Sequence, residues 1–304
     1  MDLKKAVMVQ SASKKKILFV TNPFSGANSK ENLKKTIDTH LDHSLFEYDI
    51  QYTEYPGHAT SIASDAASNG LYAVIAVGGD GTINEVAKGL VHTNTALGIV
   101  PFGSGNGFSY HLGIKRDVIS AIKIINQMHL TAIDTGSAND YFFVNIAGLG
   151  LDATVAYKTK LNTKRGFYPY FINTLKESTG FKFLQLVIQT DDKTWEGEYA
   201  MAVIANGSVY GYDFAVAPEA HLDDGAFDIL LVKKTKIFKY FLLVPRMLNK
   251  SFHKSPLVEY FKTNKISITN KTKGYFHVDG EGFEAPETIS FVNHPKSLLL
   301  LQKK

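Results

Sequence analysis

The segment Val77-Gly78-Gly79-Asp80-Gly81-Thr82-Ile83-Asn84-Glu85 decides the fold of this chain. The continuous apolar run 71–76 precedes it, which is typical of a buried strand in a parallel sheet. Val86 and Leu90 follow at helical spacing, so we expect a helix to begin near Thr82. The loop therefore lies where a strand ends and a helix begins, which is where ligands bind in open α/β sheets.

The residue types of this loop suit an anionic ligand. Its glycines allow the backbone to approach a bulky anion closely, and a helix N-terminus offers N–H groups with a partial positive charge. Asp80 would repel a phosphate directly, but it fits if Mg²⁺ lies between the carboxylate and the phosphates. For this loop taken alone, the alternative is a tight turn with a solvated aspartate.

Length and composition limit the class of protein. A chain of 304 residues can form two ordinary domains, and 44% hydrophobic with 20% charged residues is typical of soluble globular proteins. The absence of cysteine excludes disulfides and cysteine nucleophiles and fits a reducing, cytoplasmic location. The net charge of +4 favours anionic partners such as nucleotides or anionic lipid, but it is too small to indicate nucleic acid. We expect residues 1–15 to form a mobile basic tail.

The two halves of the chain have different patterns. Residues 16–132 alternate strands with helices, which predicts a parallel α/β domain with the loops Asn22–Gly26, Gly78–Thr82 and Gly103–Gly107 at one sheet edge. Their convergence favours a nucleotide-binding site. Residues 133–304 consist mainly of short β-rich runs separated by turns, which predicts an antiparallel, sandwich-like domain with one helical insertion over 157–180.

Two clusters in the second half carry carboxylates. Asp279 and Glu281 are separated by one glycine at a strand end, so one could accept a proton while the other orients a group or binds a metal. Asp223-Asp224-Gly225 could hold a hard cation. For Asp279 and Glu281 the alternative is a solvated hairpin tip, and for Asp223-Asp224-Gly225 it is a plain tight turn. The chain contains neither a Walker A motif nor the protein-kinase motifs.

Five motifs together resemble one known family. In order along the chain they are Asn22-Pro23-Phe24-Ser25-Gly26, Gly78 to Glu85, Pro101-Phe102-Gly103-Ser104-Gly105-Asn106, Asp223-Asp224-Gly225 and Asp279-Gly280-Glu281. They resemble the diacylglycerol kinase catalytic-domain family, which includes bacterial soluble lipid kinases and sphingosine and ceramide kinases and is related in fold to NAD kinase. The resemblance implies transfer of the γ-phosphoryl group of ATP to a lipid hydroxyl, with Mg²⁺ as the metal.

The resemblance also implies roles for individual residues. The expected nucleotide contacts are Asn22, Pro23, Phe24, Ser25, Gly26, Thr53, Gly79, Asp80, Gly81, Thr82, Asn84, Glu85 and Ser104. Asp80 would organise the catalytic Mg²⁺, and Asp279 or Glu281 would be the general base. A structural Mg²⁺ would be held by the Asp224 side chain and by the carbonyls of His221 and Ala226.

Further expectations concern the lipid side of the site. Asp134 matches an aspartate of the family's active-site network, and Asp152 lies where sphingosine kinases contact the lipid head group. In relatives the last twelve or so residues pack back on the first domain. Bacterial diacylglycerol kinases usually have a second carboxylate directly after the asparagine that corresponds to Asn106, whereas this chain has Gly107. The acceptor therefore stays open between diacylglycerol, a sphingoid base, ceramide and another lipid alcohol.

A lipid acceptor requires peripheral contact with a membrane, and two segments combine basic and aromatic residues. The first contains Lys158, Lys160, Lys164, Arg165, Phe167, Tyr168, Tyr170 and Phe171; the second contains Lys233, Lys234, Lys236, Ile237, Phe238 and Lys239. Such residues suit an anionic interface, although solvated helix faces with aromatics packed inward are the alternative. NAD kinase and a non-catalytic lipid- or nucleotide-binding regulator are the rival functions, and a homodimer is an open alternative for the assembly.

Overall fold

The computed structural model describes residues 13–23, 32–103, 105–161, 183–211 and 214–304. Within these residues, fifteen strands form one continuous mixed sheet. The strands of the N-terminal half pair in parallel, whereas those of the C-terminal half pair almost entirely in antiparallel fashion. This confirms the predicted fold class, an α/β part followed by a β-rich part. No helix of the described residues is both long and apolar enough to cross a bilayer.

The N-terminal half has the predicted strand–helix alternation. Its elements are β1 (Lys15–Thr21), α1 (Leu33–His40), β2 (Phe46–Tyr52), α2 (His58–Ser68), β3 (Ala73–Gly78), α3 (Asp80–Leu90), β4 (Ala96–Pro101), α4 (Gly107–His111) and α5 (Val118–Asn126). The parallel strands lie in the order β4–β3–β1–β2. Every residue of β3 and β4 is buried, as expected for strands covered by helices on both faces. Helix α3 begins at Asp80 rather than near Thr82, because Gly79 is the extended residue that precedes the first turn.

The C-terminal half is β-rich. Its elements are β5 (Leu130–Ala138), β6 (Tyr141–Phe143), β7 (Ile146–Gly150), α6 (Leu151–Leu161), β8 (Leu184–Gln189), β9 (Thr194–Ala205), β10 (Phe227–Lys233), α7 (Leu243–Leu248), β11 (Val258–Thr263), β12 (Lys265–Asn270), β13 (Tyr275–Val278), β14 (Glu281–Glu284) and β15 (Thr288–Leu301). A 3-10 helix at Ile237–Leu242 precedes α7. Strand β8 alternates buried and exposed residues, as the period of a half-buried strand requires.

The last strand joins the two halves. The first part of β15 pairs antiparallel with β12, the register then shifts between His294 and Leu298, and Leu300 pairs in parallel with Leu97 of β4. Strand β5 pairs with β15 on both sides of this shift. The boundary predicted between residues 132 and 133 therefore lies inside β5, within the shared sheet.

Some sequence predictions fall on residues that the structure does not describe. They are the tail 1–12, the nucleotide contacts Phe24, Ser25, Gly26 and Ser104, and residues 162–180 of the predicted helical insertion, whose first part is α6. Residues 141–146 form an apolar run that is typical of one strand, but the chain breaks between β6 and β7 at Val144 and Asn145. The backbone N–H groups of these two residues are directed to the carboxylate of Asp279 instead of to a neighbouring strand.

Candidate active site

A cavity of about 320 Å³ lies at the carboxyl ends of β1, β2 and β3. It is lined by Asn22, Thr53, Glu54, Tyr55, Pro56, Ala59, Gly79, Gly81, Thr82 and Glu85. The N-terminus of α3 borders this cavity, and a helix N-terminus is a favourable place for phosphate. The cavity therefore has the position and the backbone groups that a nucleotide phosphate requires.

Six of the expected nucleotide contacts line this cavity: Asn22, Thr53, Gly79, Gly81, Thr82 and Glu85. Pro23 is exposed in the turn after β1 and is not part of the lining. The contribution of residues 54–56 was not predicted. The sequence does contain a signal for this loop, because Pro56-Gly57-His58 ends a strand. A loop that follows a parallel strand lies at the same sheet edge as the glycine loops.

The two glycine-rich loops pack backbone against backbone. A Cβ atom on Gly103 would lie 2.6 Å from the Cα atom of Gly79, and one on Gly79 would lie 3.1 Å from the Cα atom of Gly103. Glu85 stabilises the opposite wall of the cavity, because its Oε2 accepts a hydrogen bond from Ala59 N near the start of α2 (3.2 Å). The glycines thus bring the loops together, while Glu85 fixes α2 beside them.

Asp80 is directed away from the cavity lining, towards the loop 105–108. Its Oδ1 accepts from Phe108 N at 3.4 Å, and a Cβ atom on Gly105 would meet its Oδ2 at 3.3 Å. Burial raises the pKa of Asp80 to about 6, and the negative charge of Asp279 contributes to the increase, whereas backbone N–H groups oppose it. Two carboxylates from different halves of the chain therefore act on each other at this edge.

Asp279 is held by four hydrogen-bond donors. Its Oδ1 accepts from Asn145 N (2.9 Å) and Ile146 N (3.1 Å), and its Oδ2 accepts from Val144 N (2.9 Å) and Asn84 Nδ2 (2.8 Å). Burial nevertheless raises the pKa of Asp279, because the donors compensate the lost hydration only in part. With its acceptor sites occupied, Asp279 is suited to hold the hairpin in place rather than to take a proton.

Glu281 lies across the same hairpin. Asp279 and Gly280 both have positive φ angles, +47° and +85°, so the chain reverses sharply between β13 and β14. Glu281 begins β14, and its side chain is exposed. The tight reversal therefore separates a fixed carboxylate from an accessible one.

The donor set fits a catalytic Mg²⁺ that arrives with the nucleotide. No group of three or more His, Asp or Glu side chains arranged to hold a metal occurs in the described part of the chain. Asp80 supplies a carboxylate oxygen, and the buried Oδ1 of Asn106 in the neighbouring loop has no hydrogen-bond partner there. Phosphate and water oxygens would have to complete the six ligands that Mg²⁺ prefers.

The Asp-Asp-Gly turn, where the resemblance implies a structural Mg²⁺, has a basic side chain beside it, and the metal site there stays a prediction. Asp224 Oδ1 accepts from Ala226 N (3.2 Å), and Asp224 Oδ2 accepts from Lys262 Nζ (2.7 Å). The same ammonium group lies 3.2 Å from the buried Asp228 Oδ2 and donates to the Glu219 carbonyl at 3.2 Å. A lysine therefore supplies a cation at this turn, and a metal bound by Asp224 would compete with Lys262 for its Oδ2 atom.

The carbonyl oxygens of His221 and Ala226 were the other two ligands expected at that site. His221 is exposed, and Ala226 contacts Asp224 through its backbone N–H group. Asp134 is fully buried beside this turn, where its Oδ2 accepts from Gly225 N and its Oδ1 from Lys296 N, both at 2.7 Å. Asp134 thus connects the Asp-Asp-Gly turn to the part of β15 in which the register shifts.

Asp152 is part of a buried cluster. Its Oδ2 accepts from Tyr210 Oη (2.6 Å) and lies 3.1 Å from His277 Nε2, while its Oδ1 accepts from Ala153 N (2.8 Å). The residue has no accessible surface. This geometry does not agree with the expectation that Asp152 contacts a lipid head group directly, because its carboxylate is buried and already contacts Tyr210 and His277.

Gly107 has a steric explanation. A Cβ atom at this position would lie 2.5 Å from the Tyr210 carbonyl oxygen, because the bridge between Asn106 and Gly211 brings that segment against α4. A carboxylate cannot be accommodated here without moving the backbone. The departure from the usual bacterial pattern is therefore coupled to the path of the segment that carries Tyr210.

Comparison with known families gives two matches that together cover most of the chain. Residues 16–138 match the model of the diacylglycerol kinase catalytic domain. Residues 145–302 match the model of the YegS C-terminal NAD kinase beta sandwich-like domain. The first match contains the cavity and Asp80, and the second contains Asp279 and Glu281.

Individual relatives agree with these matches. The chain is 32% identical over 276 residues to a protein of Staphylococcus saprophyticus named diacylglycerol kinase, covering 88% of this chain and 89% of the relative. It is 29% identical over 289 residues to a Bacillus subtilis protein of the same name, covering 92% and 95%. A crystal structure of a putative diacylglycerol kinase from Bacillus anthracis superposes with a TM-score of 0.81 at 26% identity, covering 96% of this chain and 98% of that one.

Proposed function

The chain belongs to the diacylglycerol kinase family, and from that premise we propose that it is an ATP- and Mg²⁺-dependent lipid kinase. It transfers the γ-phosphoryl group of ATP to the hydroxyl group of a lipid alcohol. The names of its relatives favour a diacylglycerol-like acceptor, and a sphingoid- or ceramide-like acceptor is the alternative.

The hydrogen bond between Asn84 and Asp279 carries this proposal. Asn84 lies on α3, whose N-terminus borders the cavity, and Asp279 lies on the hairpin that also carries Glu281. The hydrogen bond therefore holds the hairpin against α3, the helix whose N-terminus borders the cavity. Phosphoryl transfer depends mainly on positioning of the reactants and on electrostatic stabilisation, and such an arrangement supplies the positioning.

The residues of the cavity would bind and orient the nucleotide. The N–H groups at the start of α3 would face the phosphates, and Asn22 and Thr82, which lie together at the cavity wall, would contact them. Asp80, with Asn106 beside it, would hold the catalytic Mg²⁺, which neutralises phosphate charge when bound. Repulsion between Asp80 and Asp279 would also decrease when a cation is present.

Glu281 is the better candidate for the general base. Asp279 already accepts four hydrogen bonds, whereas Glu281 is exposed at the start of β14. In the transfer, the acceptor oxygen forms a bond to the γ-phosphorus, the bond from that phosphorus to the leaving ADP oxygen breaks, and the hydroxyl proton passes to Glu281. Asp279 is then a positioning residue that holds the hairpin.

The test is transfer of labelled γ-phosphate from Mg-ATP to a panel of acceptors. Diacylglycerol, monoacylglycerol, sphingosine and ceramide would be presented in mixed micelles, and NAD in solution. Glu281→Gln is expected to lower kcat by roughly 10²–10⁴ with little change in KM for ATP, because it removes the proton acceptor. Glu284→Gln changes an exposed carboxylate at the other end of β14 and is the matched control.

The other outcomes are also informative. A labelled lipid would identify the acceptor, whereas labelled NAD would replace the lipid proposal with NAD kinase. ATP binding without any product would favour a regulator. If Glu281→Gln retained wild-type kcat while Asp279→Asn lost activity without loss of stability, the base would be Asp279.

A further inference from the structure

The segment 233–254 has an unusual composition for a protein surface. It contains seven basic residues and neither aspartate nor glutamate. Four of the ten large hydrophobic side chains that are exposed in the described residues lie in this segment: Phe238, Phe241, Leu242 and Leu248. Exposed apolar side chains that are grouped and surrounded by charge indicate an interaction surface more strongly than scattered ones.

The inner side of this segment is anchored in the protein. Tyr240, Leu243 and Met247 are buried in one hydrophobic cluster. Tyr240 Oη donates to the Lys233 carbonyl (3.0 Å) and accepts from Thr235 N (2.9 Å), so the turn is held from within. The outer side chains are therefore presented by a fixed backbone.

The outer side chains are strongly exposed. Phe238 is 60% exposed, Leu242 63% and Leu248 54%. A helix on the surface of a globular protein normally carries charged or polar residues on its outer face. Here large apolar side chains lie on the outer face among the basic residues, so this face has exposed hydrophobic surface that a partner could cover.

Only part of the basic charge is available to a partner. Lys233 pairs with Glu259 at 3.0 Å, and Lys234 pairs with Glu198 at 2.7 Å. The remaining basic residues between these and the end of α7 have no ion pair within the described part of the chain. We define the basic apolar surface as Lys236, Phe238, Lys239, Phe241, Leu242, Arg246, Leu248 and Lys250.

We propose that the basic apolar surface docks the protein on an anionic phospholipid bilayer. The basic groups would contact lipid phosphates, and Phe238 and Leu242 would enter the boundary between head groups and acyl chains. Charge favours this partner over a second copy of the chain, because two such surfaces would repel each other. The inference rests on the proposed function in one respect: a lipid acceptor would reside in that bilayer.

Helix α6 connects the buried side of this surface with the hairpin of the candidate active site. Leu151 and Val155 of α6 lie in the same buried cluster as Tyr240 and Leu243. On its other side α6 packs against β14, where a Cβ atom on Gly282 would lie 2.3 Å from Tyr157 N. Helix α6 therefore packs against the strand that begins with Glu281 and shares a buried cluster with the residues that anchor the basic apolar surface.

The test is co-sedimentation of the full chain with vesicles of phosphatidylcholine alone or mixed with phosphatidylglycerol. Each basic residue near an anionic surface is worth about a fivefold change in binding, so Lys236→Glu with Lys239→Glu should weaken binding by more than about 25-fold. Phe238→Ser with Leu242→Ser should weaken it by at least about tenfold without changing the net charge. Lys115→Glu with Lys123→Glu, and Ile119→Ser, are matched controls on exposed positions of the nucleotide-binding half.

The proposal predicts binding to the anionic vesicles that both surface variants lose and both controls retain. It is overturned if the wild type does not bind them, or if both surface variants bind like the wild type. It is also overturned if sedimentation velocity shows that the serine variant converts a dimer into a monomer, because the surface would then be a self-interface. Vesicle binding needs no turnover, so failure of the docking proposal and failure of the kinase proposal are distinguishable.

Discussion

Clustered carboxylates lie in two regions of this molecule, and the two regions differ in how the negative charge is compensated. At the edge of the cavity, Asp80 and Asp279 act on each other, and neither pairs with a basic side chain in the described part of the chain. At the Asp-Asp-Gly turn, Asp224 and Asp228 share the ammonium group of Lys262. The first region is suited to receive a cation from outside, whereas the second already contains one.

The largest expected effect comes from removing the charge of Asp80. Asp80→Asn should lower kcat by roughly 10²–10³, because one positioned electrostatic contact is lost. The same change should stabilise the metal-free protein. Burial raises the pKa of Asp80 from 3.8 to about 6, so ionisation costs folding free energy that is absent below pH 3.8 and fully present above pH 6. The gain at pH 8 should therefore approach about 3 kcal/mol and should vanish near pH 4.

Urea unfolding at both pH values, in the presence of a chelator, measures this gain. Asp65→Asn, an exposed aspartate on α2, is the control and should change neither activity nor stability. Equal stability of Asp80→Asn and the wild type at pH 8 would contradict this expectation, because it would mean that the ionised carboxylate of Asp80 does not lower the free energy of unfolding.

The next effect concerns His111, which ends α4 and is affected by the charge of His221 near the Asp-Asp-Gly turn. Its Nδ1 accepts from Ser208 N at 3.1 Å, and burial, together with the charge of His221, lowers the pKa of His111 to about 4. A histidine with a lowered folded-state pKa stabilises the protein above its unfolded value of 6.5 and loses this contribution as the pH falls towards 4. The wild type should lose up to about 3 kcal/mol more than His111→Gln over this range.

Unfolding free energies measured in urea at intervals between pH 7 and pH 4 would determine this difference. Comparison with His111→Gln cancels the carboxylates that titrate over the same interval. Parallel curves for the two proteins would contradict a buried, neutral His111.

A smaller effect is expected at the Asp-Asp-Gly turn, where Lys262 compensates the charge of the carboxylates. Lys262→Met should destabilise the protein by about 1–3 kcal/mol, because the buried carboxylate of Asp228 loses its only cationic partner among the described residues. Mg²⁺ should restore part of this loss in the variant, since Asp224, Asp228 and the Glu219 carbonyl then lack a cation. The increase in stability on adding Mg²⁺ should therefore be larger in Lys262→Met than in the wild type, in which this turn keeps its lysine.

Thermal unfolding with Mg²⁺ and with chelator measures this effect. Lys271→Met removes the exposed pair between Lys271 and Glu196 and should leave stability nearly unchanged. A gain from Mg²⁺ that is as large in the wild type as in Lys262→Met would contradict this expectation and would favour the structural metal site that the resemblance implies.

The region at the cavity edge was the easier one to predict from sequence. The glycine loops follow apolar runs directly, and parallel strands bring their carboxyl ends to one edge, so Asn22, Gly79 and Thr82 could be placed together without coordinates. Local patterns carry this information because each loop adjoins its own strand.

The compensation of charge could not be predicted in the same way. Lys262 lies 38 residues from Asp224 and reaches it only because β11 pairs with β10. Three of the four donors to Asp279 lie at the break between β6 and β7 and at the start of β7, more than 130 residues earlier in the chain. Family motifs therefore identified which carboxylates lie at the site, but not which of them are already occupied.

The smallest expected effect lies at the rim of the cavity. Tyr55 is 57% exposed, lines the cavity, and stacks on His58 with ring centroids 4.5 Å apart and an angle of 4°. If the outer face of this ring stacks on the nucleotide base, Tyr55→Ala should raise KM for ATP by about two- to tenfold at unchanged kcat, because one aromatic contact is worth about 0.5–1.5 kcal/mol. Tyr55→Phe keeps the ring and should behave like the wild type. A fall in kcat with Tyr55→Ala would instead indicate that Tyr55 helps to position the phosphates. Tyr55 would then affect the same step as Asp80 and would not act on nucleotide binding alone.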